Sequence, residues 1–208
     1  MSDSSAAFLR SYDVSRETLE RLEIYVALLR RWSPKINLVS KATLGDAWTR
    51  HLLDSAQILD LAPRNAGAWA DLGSGGGFPG AVVAILAAEL RPGLSVTLVE
   101  ADQRKAAFLR TVSRETGVSI AVVAKRIESV PALNADVVSA RALAPLTDLL
   151  AFAERHLAPG GLAVFPKGAK AKEEITAALE SWRFRCETHP SQTDKEAVVL
   201  TIGDIERV

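Results

Sequence analysis

The stretch ADLGSGGGFPG, Ala70 to Gly80, sets five glycines and a proline behind an apolar run that ends in Asp71. Glycine costs about 0.5–1 kcal/mol more than alanine inside a regular element, so this density marks a loop that lets a ligand come very close to backbone. Asp71 precedes the first glycine by two residues. A carboxylate there repels a pyrophosphate laid on a helix N-terminus, and it favours a cation. Of the two cofactor classes that use such a loop, dinucleotides and S-adenosylmethionine, only the second carries an ammonium and a sulfonium. Glu100 ends a later apolar run, SVTLVE, where a carboxylate accepts hydrogen bonds from both hydroxyls of a ribose. Acids that bind ribose occur in dinucleotide folds as well, so Asp71 carries the discrimination. The plainer reading of both acids is that they cap strand ends.

Such a loop needs a strand before it and a helix after it. Short β-rich runs at 68–72, 95–100, 119–124, 135–140 and 161–167 alternate with helical candidates at about 79–90, 103–116, 146–157 and 170–182. Strands this apolar are covered on both faces, which predicts an α/β, Rossmann-like, doubly wound and mostly parallel sheet. Ligands bind such sheets beyond the carboxyl ends of the strands, where the glycine loop falls. Gly73, Gly75 and Gly77 are expected to take positive φ, and Pro79 suits the first turn of the next helix. The tail, FRCETHP and EAVVLTIG, reads as a closing antiparallel hairpin and brings the sheet to seven strands.

Two helices come before the sheet. Leu19, Leu22, Ile24, Val26, Leu28 and Leu29 form a mostly helical stripe from Ser15 to Trp32, with Ser15 as its cap, Glu17 and Glu20 at its positive end, and Pro34 ending it. The second runs from about Leu44 to Leu61 and stops before Pro63 and Gly67. The expected organisation is an N-terminal helical extension over 1–66 packed on a methyltransferase domain over 67–208.

Composition narrows the classes further. The chain has 208 residues, 48% hydrophobic and 24% charged, with zero formal net charge, so any attraction to nucleic acid must be local. Cys186 is the single cysteine, which excludes an internal disulfide and points to a reducing, cytoplasmic home. His51, His156 and His189 lack ligand spacing, so no metal is expected. The opening segment has no apolar core of the targeting kind, and no window approaches the ~18 uncharged residues that cross a bilayer.

The turn after the fourth strand bears on the acceptor. Enzymes that methylate an exocyclic amine grip it with an Asn or Asp, Pro, Pro, aromatic turn, whereas this chain has SARALAPL. Attack through carbon five of a pyrimidine needs a cysteine nearby, and Cys186 comes after the last crossover helix. A ring nitrogen with a free lone pair, such as guanine N7, needs only orientation in line with the methyl group and a field that tolerates the product cation.

INLVS (36–40), HLLDS (51–55), DLGSGGGFPG (71–80), KAAFLR (105–110), KRIE (125–128), SARA (139–142) and FPKG (165–168) together resemble the RsmG family, also called GidB, from about residue 20 to 200. Its members are bacterial enzymes that methylate N7 of a guanine in 16S ribosomal RNA of the small subunit. One departure is GAVVAI after the loop, where the family more often has isoleucine and proline. The resemblance implies that Gly73, Ser74, Gly75 and Phe78 frame the methionine part of S-adenosylmethionine beside the cofactor-binding acid Asp71, Glu100 holds ribose, and Ile127 and Glu128 meet the adenine edge. It implies that Arg141 lies beside the cofactor and orients the guanine. Lys167, with Asn37, His51, Asp54 and Arg126, would line the RNA side, so that Arg141 and Lys167 are the catalytic candidates.

Each role has a plainer counterpart. Arg141 could pair with Asp148 or Glu154, His51 with Asp54 as helix neighbours, Asn37 could cap a turn, and Phe78 could be core. Arg30, Arg31, Lys35, Lys41 and Arg50 face one acid, Asp46, and the span from Arg104 to Arg126 sets six bases against Glu115. Such patches neutralise phosphates, although charge runs are more often ordinary surface. With no RRM or zinc-finger signature, specificity would come from RNA shape. A small-molecule methyltransferase with a helical lid and a cofactor-binding module without turnover are the rival readings. A monomer is expected.

Overall fold

The computed structural model describes residues 8–208. The first residues of the opening segment, and of the expected 1–66 extension, lie outside the described residues. Helix α1 (Arg16–Ile36) opens at Ser15, whose side chain accepts from the Thr18 N–H at 3.2 Å. Leu22, Tyr25, Val26 and Leu29 are buried at helical spacing. The helix does not stop at Pro34 as expected, because a proline in the last turn removes only one backbone bond there. It ends at Asn37 in the left-handed region (φ 50°), whose N–H bonds the Ser33 carbonyl.

The expected second helix is three pieces: α2 (Lys41–Leu44), a π-helical stretch (Trp48–Leu53) and α3 (Asp54–Leu61). A π turn winds one residue wider than an α turn, which shifts the side chains beyond it off the original stripe. Apolar periodicity alone could not show this, since the spacing of Trp48, Leu52 and Leu53, all buried here, fits either winding.

The sheet agrees with the expected plan. β1 (Ala68–Leu72), α4 (Gly80–Leu90), β2 (Ser95–Val99), α5 (Gln103–Thr116), β3 (Ala121–Val123), a 3-10 turn (Ile127–Ser129), β4 (Ala135–Ser139), α6 (Leu146–His156), β5 (Leu157–Lys167), α7 (Ala171–Ala178), β6 (Trp182–Pro190) and β7 (Val198–Arg207) alternate along the chain. The strand order is β3-β2-β1-β4-β5-β7-β6, with β7 antiparallel to both β5 and β6. The strand parity distributes the core between two faces. Trp69, Val96, Leu98 and Val137 pack with α1, α3, α4 and α5, whereas Ala70, Leu72, Val138 and Ala163 pack with α6 and α7.

Register brings the carboxyl ends of the central strands to one edge. Leu72 pairs with Val99, Val99 with Val123, and Asp71 with Ser139. The switch point lies between β1 and β4, and the loops after β1 to β5 all leave from that edge.

Candidate active site

The glycine loop leaves β1 with the Ser74 N–H bonded to the Val99 carbonyl (3.0 Å) and the Ser74 hydroxyl donating to the Asp71 carbonyl (2.9 Å). Gly73, Gly75 and Gly77 have φ of 63°, 55° and 91°, the three positions expected to be positive. At Gly73 a Cβ would also press on the Leu143 side chain, so the turn disfavours other residues and Leu143 would have to shift to admit one.

The loop forms one wall of a cavity of about 430 Å3. Gly73, Gly75, Glu100, Arg126, Ile127 and Glu128 line it, and Val99, Leu143 and Phe152 supply apolar surface. The Glu100 carboxylate accepts from the Gly75 N–H (2.7 Å) and the Asp102 N–H (2.8 Å), one per oxygen, so each oxygen keeps a lone pair for a ribose hydroxyl. A volume in the small-molecule range, backbone approach through glycine, a fixed acid and apolar walls together fit an adenosyl group.

Asp71 lies behind this wall and is fully buried. Its Oδ1 accepts from the Ser139 hydroxyl (2.7 Å), which in turn accepts from the Trp69 indole (2.8 Å), while Oδ2 has no partner. Burial pushes its carboxyl up to about 6, against hydrogen bonds that lower it, so the ionised form prevails at neutral pH. Asp71 therefore does not line the cavity and is screened from it by the loop. Gly80 permits this seating, because a Cβ there would press on the Asp71 side chain.

A second cavity, of about 330 Å3, adjoins the first. Ala142 and Ala144 line both. Arg50, Asp54, Arg141, Lys167, Glu174 and Thr193 furnish its polar groups. The Arg141 guanidinium donates to Asp54 Oδ2 (3.1 Å) and to His51 Nδ1 (3.2 Å), and lies 5.0 Å from the centre of the Phe78 ring. Phe78 stacks with His51 (4.8 Å) and with Tyr25 (5.3 Å), and it does not line the first cavity. Its aromatic face holds the cation in place.

Because Arg141 donates to Nδ1, the His51 proton sits on Nε2 and is given to the Thr43 hydroxyl (3.0 Å). Burial and the neighbouring Arg141 lower the imidazole to about 4, only partly opposed by Asp54. Its neutral form accepts from the guanidinium, whereas an imidazolium would repel it. Arg141 pairs with neither Asp148 nor Glu154, and His51 and Asp54 bond Arg141 rather than each other.

Asp54 is the hub of this wall. Its Oδ1 accepts from Gln57 Nε2 (3.0 Å) and from the Thr193 hydroxyl (2.8 Å), and Gln57 Oε1 accepts from the Gln192 N–H (2.9 Å). Arg50 pairs with Asp194 (3.1 Å), so the β6–β7 loop is fastened to the π-helical stretch through Arg50 and to α3 through Asp54 and Gln57. Lys167 donates to Glu174 (2.7 Å) and to the Ala144 carbonyl (3.1 Å), with its side chain 9% exposed. Asn37 stands apart as an exposed helix C-cap, and Arg126 and Glu128 line the first cavity.

Sequence reasoning missed Gln57, Thr193 and Glu174 because each meets its partner only through the tertiary fold. Tyr25 also went unmarked in the apolar stripe, yet its hydroxyl donates to the Gly76 carbonyl and ties α1 to the glycine loop. Among the described residues there is no cluster of three or more His, Cys, Asp or Glu able to hold a metal, and no helix is long and apolar enough to cross a membrane.

Among solved structures, the cofactor-bound Rv0187 of MTB superposes with a TM-score of 0.62 at 16% identity over 95% of each chain. A TehB-like SAM-dependent methyltransferase of Corynebacterium glutamicum gives 0.57 at 16% identity, over 86% of this chain and 97% of that one. At such identities the likeness concerns the Rossmann-like methyltransferase fold. Among curated sequences, the ribosomal RNA small subunit methyltransferase G of a Ruegeria species is 58% identical over 94% of this chain and 95% of its own. That of Cereibacter sphaeroides is 50% identical over the whole length of both. The model of the GidB family, rRNA small subunit methyltransferase G, matches residues 18–198, and the chain belongs to that family.

Proposed function

We propose that this chain transfers a methyl group from S-adenosylmethionine to N7 of a guanine in 16S ribosomal RNA of the small subunit. The observation that carries the reading is the pair of cavities sharing Ala142 and Ala144, one suited to an adenosyl group and one ringed by Arg50, Arg141 and Lys167. S-adenosylmethionine supplies an electrophilic methyl group to a nucleophile held in line with it.

The residues have matching tasks. Glu100 holds ribose, Gly73, Ser74 and Gly75 lie against the methionine part, and Ile127 and Glu128 flank the adenine. Asp71 provides the negative field that favours a cationic donor over a diphosphate. Arg141, fixed by Asp54, His51 and Phe78, orients the guanine from the acceptor side, and Lys167 completes that wall. N7 already presents a lone pair, so the site needs no base to remove a proton. The lowered imidazole of His51 therefore serves to seat Arg141 rather than to accept a proton from substrate.

The segment up to residue 66 is proposed as the acceptor-side extension of the methyltransferase domain beyond it. The protein is proposed to act as a monomer in the cytoplasm. Three cations, Arg50, Arg141 and Lys167, ring the acceptor cavity, which favours RNA over a small apolar acceptor. The test is to incubate the protein and labelled S-adenosylmethionine with small subunits lacking the modification and to map the label. Label on guanine N7 of 16S RNA is expected, and label elsewhere or nowhere rejects the assignment.

A further inference from the structure

Charge is segregated along α1. Its first two turns hold Glu17, Glu20 and Glu23 beside Arg16 and Arg21, and these bases are spent locally, in Arg16–Glu20 (2.8 Å) and Arg21–Glu17 (2.6 Å) pairs. Its last two turns hold Arg30, Arg31 and Lys35 with no acid. Among the described residues none of these three has an ion-pair or hydrogen-bond partner for its side chain, and all are exposed. The basic end of α1 packs beside α5, which itself carries exposed Arg110 and Arg114.

Between the two helices lies a cavity of about 340 Å3 lined by Leu28, Arg31, Trp32, Lys35, Arg114 and Glu115 among others. Trp32 is half-buried against Phe108 (5.7 Å), which leaves a fixed aromatic surface beneath flexible cations. Glu115 is the only acid there, and it already engages Arg114 at 2.8 Å. Lys105, on the same helix as Arg114, lines the donor cavity, and Thr111 in the groove is roughly 9 Å further along the axis.

We propose that this α1–α5 groove is a second contact surface for the RNA, taking the sugar-phosphate backbone of a strand outside the acceptor cavity. Arg31 and Lys35, unpaired over an aromatic floor and joined by Arg114, suit a nucleic acid strand, whose phosphates meet the cations while a base or sugar rests on the indole. The groove adds affinity and register but touches neither donor nor target base. Local charge of this kind also explains how a chain of zero net charge engages a polyanion.

This inference rests on the rRNA reading. The test is binding of the full chain to small ribosomal subunits lacking the modification, across a series of KCl concentrations. Wild type is compared with a triple variant, Arg31→Gln, Lys35→Gln and Arg114→Gln, and separately with Glu115→Gln. The triple variant should bind at least about tenfold more weakly near 0.1 M salt, with a log–log salt slope shallower by about 2, as expected for three lost contacts to a single strand. Glu115→Gln should bind more tightly. S-adenosylmethionine affinity by calorimetry should be unchanged in both.

Unchanged affinity and slope in both variants would overturn the groove assignment. Weakened binding with an unchanged slope would place a ribosomal protein there and overturn it equally. A wild type that methylates no small subunit would sink the underlying rRNA reading, whereas a methylating wild type beside a triple variant of unchanged KM would sink only the groove.

Discussion

The cavities proposed for donor and acceptor share Ala142 and Ala144 but are built in opposite ways. The donor side is made largely of backbone and of residues next to strand ends, with Gly73, Gly75, Glu100 and Ile127 each fixed by the strand before it. The acceptor side is made of side chains from four separated stretches, represented by Asp54, Arg141, Lys167 and Thr193, which reach one another across the fold. Backbone geometry tolerates few substitutions and makes a rigid mould. A side-chain network carries charge and orientation, and it depends on every member being present.

This contrast separates the effects of substitutions. Arg141→Ala should produce the largest, lowering methyl transfer to small subunits about 10²-fold or more, in the range for losing one positioned donor. Calorimetry should show S-adenosylmethionine affinity within about threefold of wild type. Equal losses on both sides would mean that the cavities are not functionally distinct.

Gly73→Ala should do the reverse. A side chain at φ 63° costs about 1–2 kcal/mol and here also meets Leu143, so donor affinity should fall roughly tenfold. Subunit binding measured without donor should hold. If donor affinity is unchanged, the wall is softer than its dihedrals imply.

A third effect lies in pH. The folded His51 imidazole, at about 4, sits below its unfolded value near 6.5, so the unfolded chain binds the extra proton between those values. Stability from this group therefore falls as pH drops from about 6.5 to 4. Asp71, raised to about 6, works the other way over much of that window, since the folded state holds its proton more tightly. The His51→Gln variant should lose less stability on acidification than wild type, and Asp71→Asn should lose more, as read from melting temperature against pH. Parallel curves would remove both assignments.

The smallest effect is expected far from either cavity. Glu20→Ala breaks the exposed Arg16–Glu20 pair and should change stability by no more than about 0.5 kcal/mol, with transfer rate unaltered. A larger change in denaturant midpoint would show that the acidic half of α1 does more than cover the surface.

The same contrast decides how far each side is legible in sequence. β1 and the glycine loop are legible because a run of apolar residues, an acid and a cluster of glycines lie next to one another, and local chemistry dictates their conformation. The strand alternation and the closing hairpin are legible for the same reason. Pro34 inside α1 and the π-helical stretch are not, since apolar spacing is insensitive to where a backbone bond is dropped or a turn widened. Arg141 can be placed at a strand end, but its partners Asp54 and His51 lie 87 and 90 residues away, and Thr193 a further stretch beyond. Only folding juxtaposes them. The charge of Asp71 is evident from its place before the loop, yet its complete burial depends on the packing of Gly80, which spacing does not reveal.

The bond from Tyr25 to the carbonyl of Gly76 has a consequence for the behaviour of the whole chain. A ligand that steadies the loop steadies the first long helix as well, so part of the free energy of capture is stored as resistance of that helix to opening. Amide exchange around Val26 and Leu29 should then slow when the nucleoside arrives, a distant readout of occupancy in a segment the nucleoside never meets.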